Sequence, residues 1–276
     1  MQMRLNKLVK ALKRPFATVL ALFATTAASA DTVRLFAAGS LRAPMTEIAA
    51  AYTAKYGDLI EPVFGASGTL ASRLTTDQQG GLFASADLGY PQSLTDAGKA
   101  DPTVLFARNR LCVLSRAGVR SRYKSVLAMM LDPAARLATG APENDPGGAY
   151  AWIVFKKADA VTPGARQKLE LKTRKLGSGP GMLAAPPNTE NALAWSLSQG
   201  PVDVFINYCT NGTAAQKVLP DITVSELPPE LAVQADYGMT ILASSNTNTA
   251  RFAMFILSPA GQKILAAHGF DAPLPH

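Results

Sequence analysis

"LFAAGSLRAP" at residues 35–44 and "VFGASGTLAS" at residues 63–72 share one layout. In each stretch a short apolar run, typical of a buried strand, reaches a glycine, and a serine then opens a helical pattern. The serines are Ser40 and Ser67. Strands that alternate with helices imply mainly parallel sheets covered by helices on both faces. The chain is therefore predicted to be an α/β protein.

The two serines also suggest a function. The first turn of a helix exposes unpaired N–H groups and a partial positive charge. A serine there can cap its own helix or turn its hydroxyl toward a ligand. In open parallel sheets these helix starts gather at the carboxyl ends of the strands, where ligands bind. Two such loops favour an anion site, with plain capping as the open alternative.

The first 30 residues have the composition of a cleavable secretory signal peptide, the alternative being an uncleaved anchor. Five Lys and Arg residues precede an apolar run at 16–23, and Ala28-Ser29-Ala30 forms a small-x-small cleavage site. Asp31 follows in place of the cysteine of a lipid-anchored protein. Without residues 1–30 the net charge falls from +7 to about +2, which does not support nucleic-acid binding. We predict an exported, soluble protein of the periplasm.

Metal-ligand spacing is absent from the sequence. The two cysteines, Cys112 and Cys209, are far apart, and His268 and His276 lie at the carboxyl end. In an oxidising compartment the cysteines can form a disulfide, while two separate buried thiols remain the alternative.

Further patterns predict the remaining elements. Residues 162–177 predict a helix with Thr162 as N-cap and Pro163 at its first position. Residues 101–118 contain two apolar runs with a basic interruption at 108–110. Residues 202–210 predict a strand with Tyr208 near its carboxyl end.

Seven stretches in order resemble those of periplasmic molybdate-binding proteins, the substrate receptors of ABC-type importers. They are "LFAAGSL", "FGASGTLASRL", "FASAD", "LFARNRLCVL", "DPGGAYA", "VDVFINYCTN" and "FILSPAGQKILAAHGF". The resemblance spans almost all of residues 33–270. It implies a type II periplasmic binding protein, with two lobes joined by two crossing strands. Lobe one would comprise 31–108 plus 238–276, and lobe two 109–237.

In that family neutral donors hold a tetrahedral oxyanion between the lobes. The resemblance assigns this role to the hydroxyls of Ser40, Ser67 and Tyr208, and to backbone N–H groups of Gly147 and of Thr189, or Glu190 in a shifted register. The implied ligand is molybdate or tungstate, bound as an oxyanion without a cofactor or a separate metal site. The implied partner is a membrane permease, and the implied state is a monomer.

The sequence departs from the family at two places beside this site. Residues 208–212 are Tyr-Cys-Thr-Asn-Gly where the family has Tyr-x-Ser/Thr-Asp-Ala, and residues 188–191 are Asn-Thr-Glu-Asn where a helix start resembling Asn-Val-Arg is usual. A fully ionised dianion only accepts hydrogen bonds, whereas phosphate carries a proton and benefits from a carboxylate. The sequence assigns no carboxylate to the pocket unless Glu190 enters it.

Two other functions stay open at this stage. The first is a receptor of the same architecture for sulfate, another oxyanion or a small organic anion. The second, from a different class, is a secreted serine hydrolase, because "GASGT" at 65–69 approaches the Gly-x-Ser-x-Gly motif. That motif lacks its last glycine, and His268 would be the one useful base. We therefore expect a binding protein and no enzyme.

Overall fold

The computed structural model describes residues 32–77, 79–177, 182–186, 189–199 and 201–273. The predicted signal peptide lies outside the described residues. Within the described part of the chain, no helix has both the length and the apolar character that a membrane crossing requires.

The first half of the chain alternates strands and helices, as predicted. Its elements are β1 (Thr32–Ala38), α1 (Arg42–Tyr56), β2 (Leu59–Gly65), α2 (Ser67–Thr76), β3 (Leu82–Ala84) and α3 (Gly89–Asp96). β1 pairs in parallel with β2 and β3, because each crossover helix returns the chain to the same end of the sheet. One turn of 3-10 helix, Gly39–Leu41, separates β1 from α1.

The second half begins with a long strand and ends by returning to the first half. Its elements are β4 (Val104–Ser115), α4 (Val126–Leu131), β5 (Leu137–Gly140), α5 (Pro146–Val161), α6 (Ala165–Lys172), β6 (Arg174–Leu176), α7 (Ala192–Ser198), β7 (Val204–Tyr208), α8 (Cys209–Val218) and β8 (Thr223–Glu226). The returning elements are β9 (Gln234–Ile241), α9 (Thr247–Leu257) and α10 (Pro259–Ala267).

The described strands form one mixed sheet in the order β2-β1-β3-β9-β4-β7-β5-β6, with β8 also paired to β4. Parallel pairs occur within each half, between β1 and its neighbours and between β5 and its neighbours. β9 is antiparallel to β3 and to β4. The α/β class is thus confirmed, and the sheet is mixed because β4 and β9 carry the chain between the halves.

Strand β4 belongs to both halves of the sheet. As far as Arg110 it pairs with β9, and from Leu111 onward it pairs with β7 and β8. The predicted lobe boundaries, at 108/109 and 237/238, fall inside β4 and β9. These boundaries stay a prediction.

The predicted basic interruption does not break β4. Arg108 forms an ion pair with Asp236 at 3.0 Å, and Arg110 forms one with Glu226 at 3.2 Å. Both arginines point to partners on the neighbouring strands or beside them, so the strand continues through three polar residues. Asn109, between them, is buried.

The core of the first half is built from the inner face of β1 and from α1, α9 and α10. Tyr52 of α1 is fully buried, and its ring makes edge contacts with Phe252 and Phe255 of α9 at 5.0 and 5.6 Å. Its hydroxyl donates to Asp58 at 3.0 Å. Burial and the Asp58 carboxylate raise the pKa of Tyr52 to about 12, so the hydroxyl remains a donor.

Cys112 of β4 and Cys209 at the start of α8 form a disulfide, with their Cα atoms 4.8 Å apart. Of the two states left open by the sequence, the structure has the bonded one. The bond ties β4 to the residue that directly follows Tyr208.

Two predicted boundaries are wrong. Thr162 ends α5 rather than capping the next helix, and α6 begins only at Ala165, after Gly164 in a left-handed conformation with φ of 81°. The predicted strand at 202–210 ends at Tyr208, because Cys209 already starts α8.

Candidate functional site

A cleft of about 450 Å³ lies between the two halves of the molecule. From the first half it is lined by the loops that follow β1, β2 and β3. From the second half it is lined by the starts of α5 and α7, by the end of β7 and by the residues after β6. The lining residues are Ala38, Gly39, Ser40, Gly65, Ala66, Ser67, Ala86, Asp145, Leu176, Gly177, Leu183, Ala184, Ala185, Ala192, Asn207, Tyr208 and Asn211.

Ser40 reaches the cleft from the 3-10 turn after β1. Its hydroxyl lies 2.9 Å from the hydroxyl of Tyr237 on β9, and Asn109 of β4 donates an Nδ2 hydrogen to the same Tyr237 oxygen at 3.3 Å. The Asn109 amide is oriented by its Oδ1 atom, which accepts the N–H of Arg110 at 2.8 Å. Since Asn109 can only donate from nitrogen, Tyr237 accepts there and can donate to Ser40. The hydrogen of Ser40 is then free to enter the cleft.

Ser67 is the first residue of α2 and is 1% exposed. Its hydroxyl oxygen accepts the N–H of Ala86 at 3.1 Å, so its hydrogen is also available as a donor. Neither Ser67 nor Ser40 hydrogen-bonds to the helix that it begins. The capping alternative therefore does not describe these two serines.

Tyr208 ends β7, and its hydroxyl is buried without a hydrogen bond of standard geometry to the described residues. Its ring lies edge-on to those of Tyr237 and Tyr150, with centroids 5.6 and 6.4 Å away. Burial, together with the neighbouring Tyr237, raises the pKa of Tyr208 well above its usual value. A buried unpaired hydroxyl that stays protonated is suited to a ligand oxygen.

Gly147 and Thr189 are not among the residues that line the cleft, unlike Ser40, Ser67 and Tyr208. The Gly147 N–H donates to the Asp145 carboxylate at 2.9 Å. Thr189 turns back on its own loop, donating its N–H and its hydroxyl to the Pro186 carbonyl at 3.3 and 2.7 Å. Their roles as ligand contacts stay predictions.

Asp145 corrects the expectation that no carboxylate enters the pocket. It caps α5, with Pro146 at the first helical position, and it lines the cleft. Burial raises its pKa, and the hydrogen bond from the Gly147 N–H partly opposes this effect. An Asp-Pro step is a recognisable helix start in the sequence. Whether that start faces a cleft depends on how the two halves meet.

Asn207 and Asn211 add side-chain amide groups to the cleft wall beside Tyr208. Asn207 accepts the N–H of Tyr208 at 2.7 Å and an Nδ2 hydrogen of Asn211 at 2.8 Å through its Oδ1 atom. Its own Nδ2 makes no hydrogen bond to the described residues and is a further donor. Asn211 is one of the sequence departures noted above, and it lies in the cleft wall.

The two halves touch at the mouth of the cleft. The N–H of Gly68 donates to the carbonyl of Asn144 at 2.9 Å, and the Tyr90 hydroxyl donates to the carbonyl of Glu143 at 3.3 Å. A Cβ on Gly68 would lie 2.8 Å from the Asn144 oxygen and 2.5 Å from the Tyr90 hydroxyl. This close approach requires glycine. Across the described residues, no group of three or more His, Cys, Asp or Glu is arranged to hold a metal ion.

A cleft between two halves, crossed by β4 and β9 and supplied with neutral donors, is the arrangement of a solute-binding protein. The chain belongs to the bacterial extracellular solute-binding protein family, whose model matches residues 33–271. It is 32% identical over 240 residues to an uncharacterised protein, PM1146, of Pasteurella multocida, covering 86% of this chain and 98% of that one. It is 25% identical over 246 residues to the molybdate-binding protein ModA of Escherichia coli K12, covering 86% and 88%.

Solved structures show the same fold. The periplasmic molybdate-binding protein of Azotobacter vinelandii matches with a TM-score of 0.68 and 16% identity, over 88% of this chain and 100% of that one. The sulfate-binding protein SubI of Mycobacterium tuberculosis matches with a TM-score of 0.71 and 17% identity, over 88% and 87%. The predicted type II periplasmic binding protein fold is confirmed.

Proposed function

We propose that this protein captures a tetrahedral oxyanion in the cleft and delivers it to the permease of an ABC importer. Molybdate, or tungstate of nearly the same shape and charge, is the first candidate, since the ModA relatives bind molybdate. The observation that carries the proposal is the convergence of Ser40, Ser67 and Tyr208 on one cleft. Ser67 accepts a hydrogen bond from Ala86 and keeps its own hydrogen available, and Ser40 can do the same when Tyr237 donates to it.

Neutral donors suffice for this task. A hydrogen bond to a charged group contributes about 1.5–3 kcal/mol, so three hydroxyls and the Asn207 amide supply roughly 6–12 kcal/mol before the costs of association. Micromolar binding needs about 8 kcal/mol. The cleft therefore needs no arginine, and its described lining includes none.

Capture follows from closure of the two halves. Ser40 and Ser67 belong to the first half and Tyr208 to the second, so the complete set of donors exists only when the halves meet. An oxyanion that bridges them favours the closed population over the open one. We place this cycle in the periplasm, after removal of residues 1–30, with the protein acting as a monomer.

A second candidate ligand is a singly protonated oxyanion such as hydrogen phosphate. Asp145 favours it, because a carboxylate oxygen can accept a hydrogen bond from the ligand's own O–H, which molybdate lacks. A hydrolase is not supported. The Ser67 hydroxyl bonds to the Ala86 N–H, whereas Nε2 of His268 lies 2.8 Å from Oε2 of Glu47. The candidate nucleophile and the candidate base therefore have different partners.

Calorimetric titration of the purified protein with molybdate, tungstate, sulfate and phosphate tests the proposal. We expect molybdate and tungstate to bind one-to-one and sulfate to bind much more weakly. If the second candidate holds, hydrogen phosphate binds and molybdate and tungstate do not. If none of the four anions binds, the protein is not an oxyanion receptor.

Single substitutions test the site. We expect Ser40→Ala, Ser67→Ala and Tyr208→Phe each to weaken binding of the ligand so identified by about 1–3 kcal/mol, because each removes one donor to a charged oxygen. Ser72→Ala, on the exposed face of α2, is the control and should bind like the wild type. Unchanged affinity in all three variants would remove these residues from the site.

A further inference from the structure

The described lining of the cleft contains a single charged side chain, and it is an acid. Asp145 lies among hydroxyl, amide and apolar groups. Its Oδ1 accepts the Gly147 N–H at 2.9 Å, while Oδ2 makes no hydrogen bond or ion pair with the described residues. Gly140 makes room for this carboxylate, since a Cβ at Gly140 would lie 1.9 Å from Oδ2.

The groups that face Asp145 do not neutralise it. Tyr90 of α3, Tyr208 of β7 and Tyr237 of β9 interact with its charge, and the pKa of each of these phenols is raised. They therefore remain neutral. On the same loop, Glu143 is already paired with Lys175 of β6 at the exposed rim.

An ionised Asp145 and a fully ionised oxyanion cannot share this cleft without repulsion, because two like charges in one site raise the pKa of one of them strongly. The partial positive charge at the start of the 16-residue helix α5 favours an anion there, whereas burial raises the pKa of Asp145.

We propose that the cleft binds an oxyanion together with one proton, and that Asp145 is the residue that sets this requirement. This inference rests on the proposed function. A ligand that already carries a hydrogen, such as hydrogen phosphate, donates it to the Asp145 carboxylate. A fully ionised ligand, such as molybdate, binds when Asp145 takes up a proton from solvent and donates it to a ligand oxygen.

The two cases differ in their pH dependence. For molybdate the free protein holds Asp145 ionised above its pKa and the complex holds it protonated, so affinity falls about tenfold for each unit that the pH rises in that range. For hydrogen phosphate the proton enters with the ligand, so affinity does not change with pH while hydrogen phosphate is the dominant form of the ligand.

Calorimetry at one pH above the pKa of Asp145, in two buffers of different ionisation enthalpy, measures the protons exchanged on binding. We expect the wild type to take up about one proton per molybdate and none per hydrogen phosphate. Asp145→Asn should take up none, bind molybdate at least tenfold more tightly at pH 8 and bind phosphate at least tenfold more weakly. Asparagine is a good N-cap, so α5 should remain folded.

Asp221→Asn is the matched control, because it removes an exposed carboxylate that does not line the cleft, and it should behave as the wild type. Molybdate binding without proton uptake, or an Asp145→Asn variant identical to the wild type, would overturn this inference and leave the oxyanion receptor standing. Failure of every anion to bind would overturn both.

Discussion

The hydroxyls of Ser40 and Ser67 bond to groups outside the helices that these serines begin, Ser40 to Tyr237 and Ser67 to the N–H of Ala86. For Ser67 the partner is the backbone N–H of Ala86, which can only donate, so the serine oxygen is the acceptor. For Ser40 the direction comes from a chain of two side chains, Asn109 and Tyr237. Tyr237 is fully buried, so its hydroxyl bonds to protein groups and not to solvent.

This chain of hydrogen bonds makes a prediction about Tyr237. We expect Tyr237→Phe to weaken oxyanion binding by about 1 kcal/mol, because Ser40 is then free to turn its hydrogen away from the cleft. In a Ser40→Ala background the same substitution should have almost no effect on affinity. Titration of the two single variants and the double variant measures this coupling. Equal effects in both backgrounds would show that Tyr237 acts through the fold and not through Ser40.

The sequence predicts Ser40 and Ser67 because each opens a helix shortly after a strand, and strand ends are visible in the apolar pattern. Tyr208, at the end of β7, is predicted through the family resemblance. It does not predict Asp145 in the cleft, since a cap residue faces a ligand only when the two halves meet around it. Thr189 is not among the residues that line the cleft, and its N–H and its hydroxyl both bond to the Pro186 carbonyl in a local turn. A local turn of this kind leaves no trace in the spacing of apolar residues along the sequence.

Helix α2 and the loop before α5 form the contact that closes the cleft mouth. We expect Gly68→Ala to weaken oxyanion binding at least tenfold, because the added Cβ would lie 2.8 Å from the Asn144 backbone oxygen and hold the halves apart. Adding Tyr90→Phe should not restore binding, since the backbone clash remains. Titration and thermal unfolding of the variants, with Ser72→Ala as control, check this.

Normal affinity in Gly68→Ala would mean that this contact is not needed for capture. Lower affinity with an unchanged melting temperature would place the effect on closure and not on folding.

At the scale of elements, the sequence predicts the strand and helix alternation of the first half and the class of the fold. It misses α8, because Tyr-Cys-Thr after an apolar strand continues a β-favouring composition. It also divides β4 at its polar residues, although cross-strand ion pairs carry the strand through. Both errors arise where tertiary partners override a local preference.

The Cys112–Cys209 disulfide closes a loop with a sequence separation of 97 residues and joins the long central strand to α8. In the chain-entropy account a loop of this size contributes about 4–5 kcal/mol. We expect Cys112→Ala/Cys209→Ala to lose about 2–5 kcal/mol of unfolding free energy, measured by urea titration. Thiol labelling of the folded wild type without reductant should find no free thiol, and labelling of both cysteines would contradict the bond.

The first half of the molecule is completed by the last part of the chain. Strand β3 has β9 as its second neighbour, and the buried face of Tyr52 packs against Phe252 and Phe255. Until β9 and α9 have folded onto it, the first half therefore has an open sheet edge at β3 and an uncovered aromatic surface at Tyr52. Unpaired strand edges and exposed apolar surface favour aggregation, so the period before the last part of the chain folds is when the first half is most exposed to it.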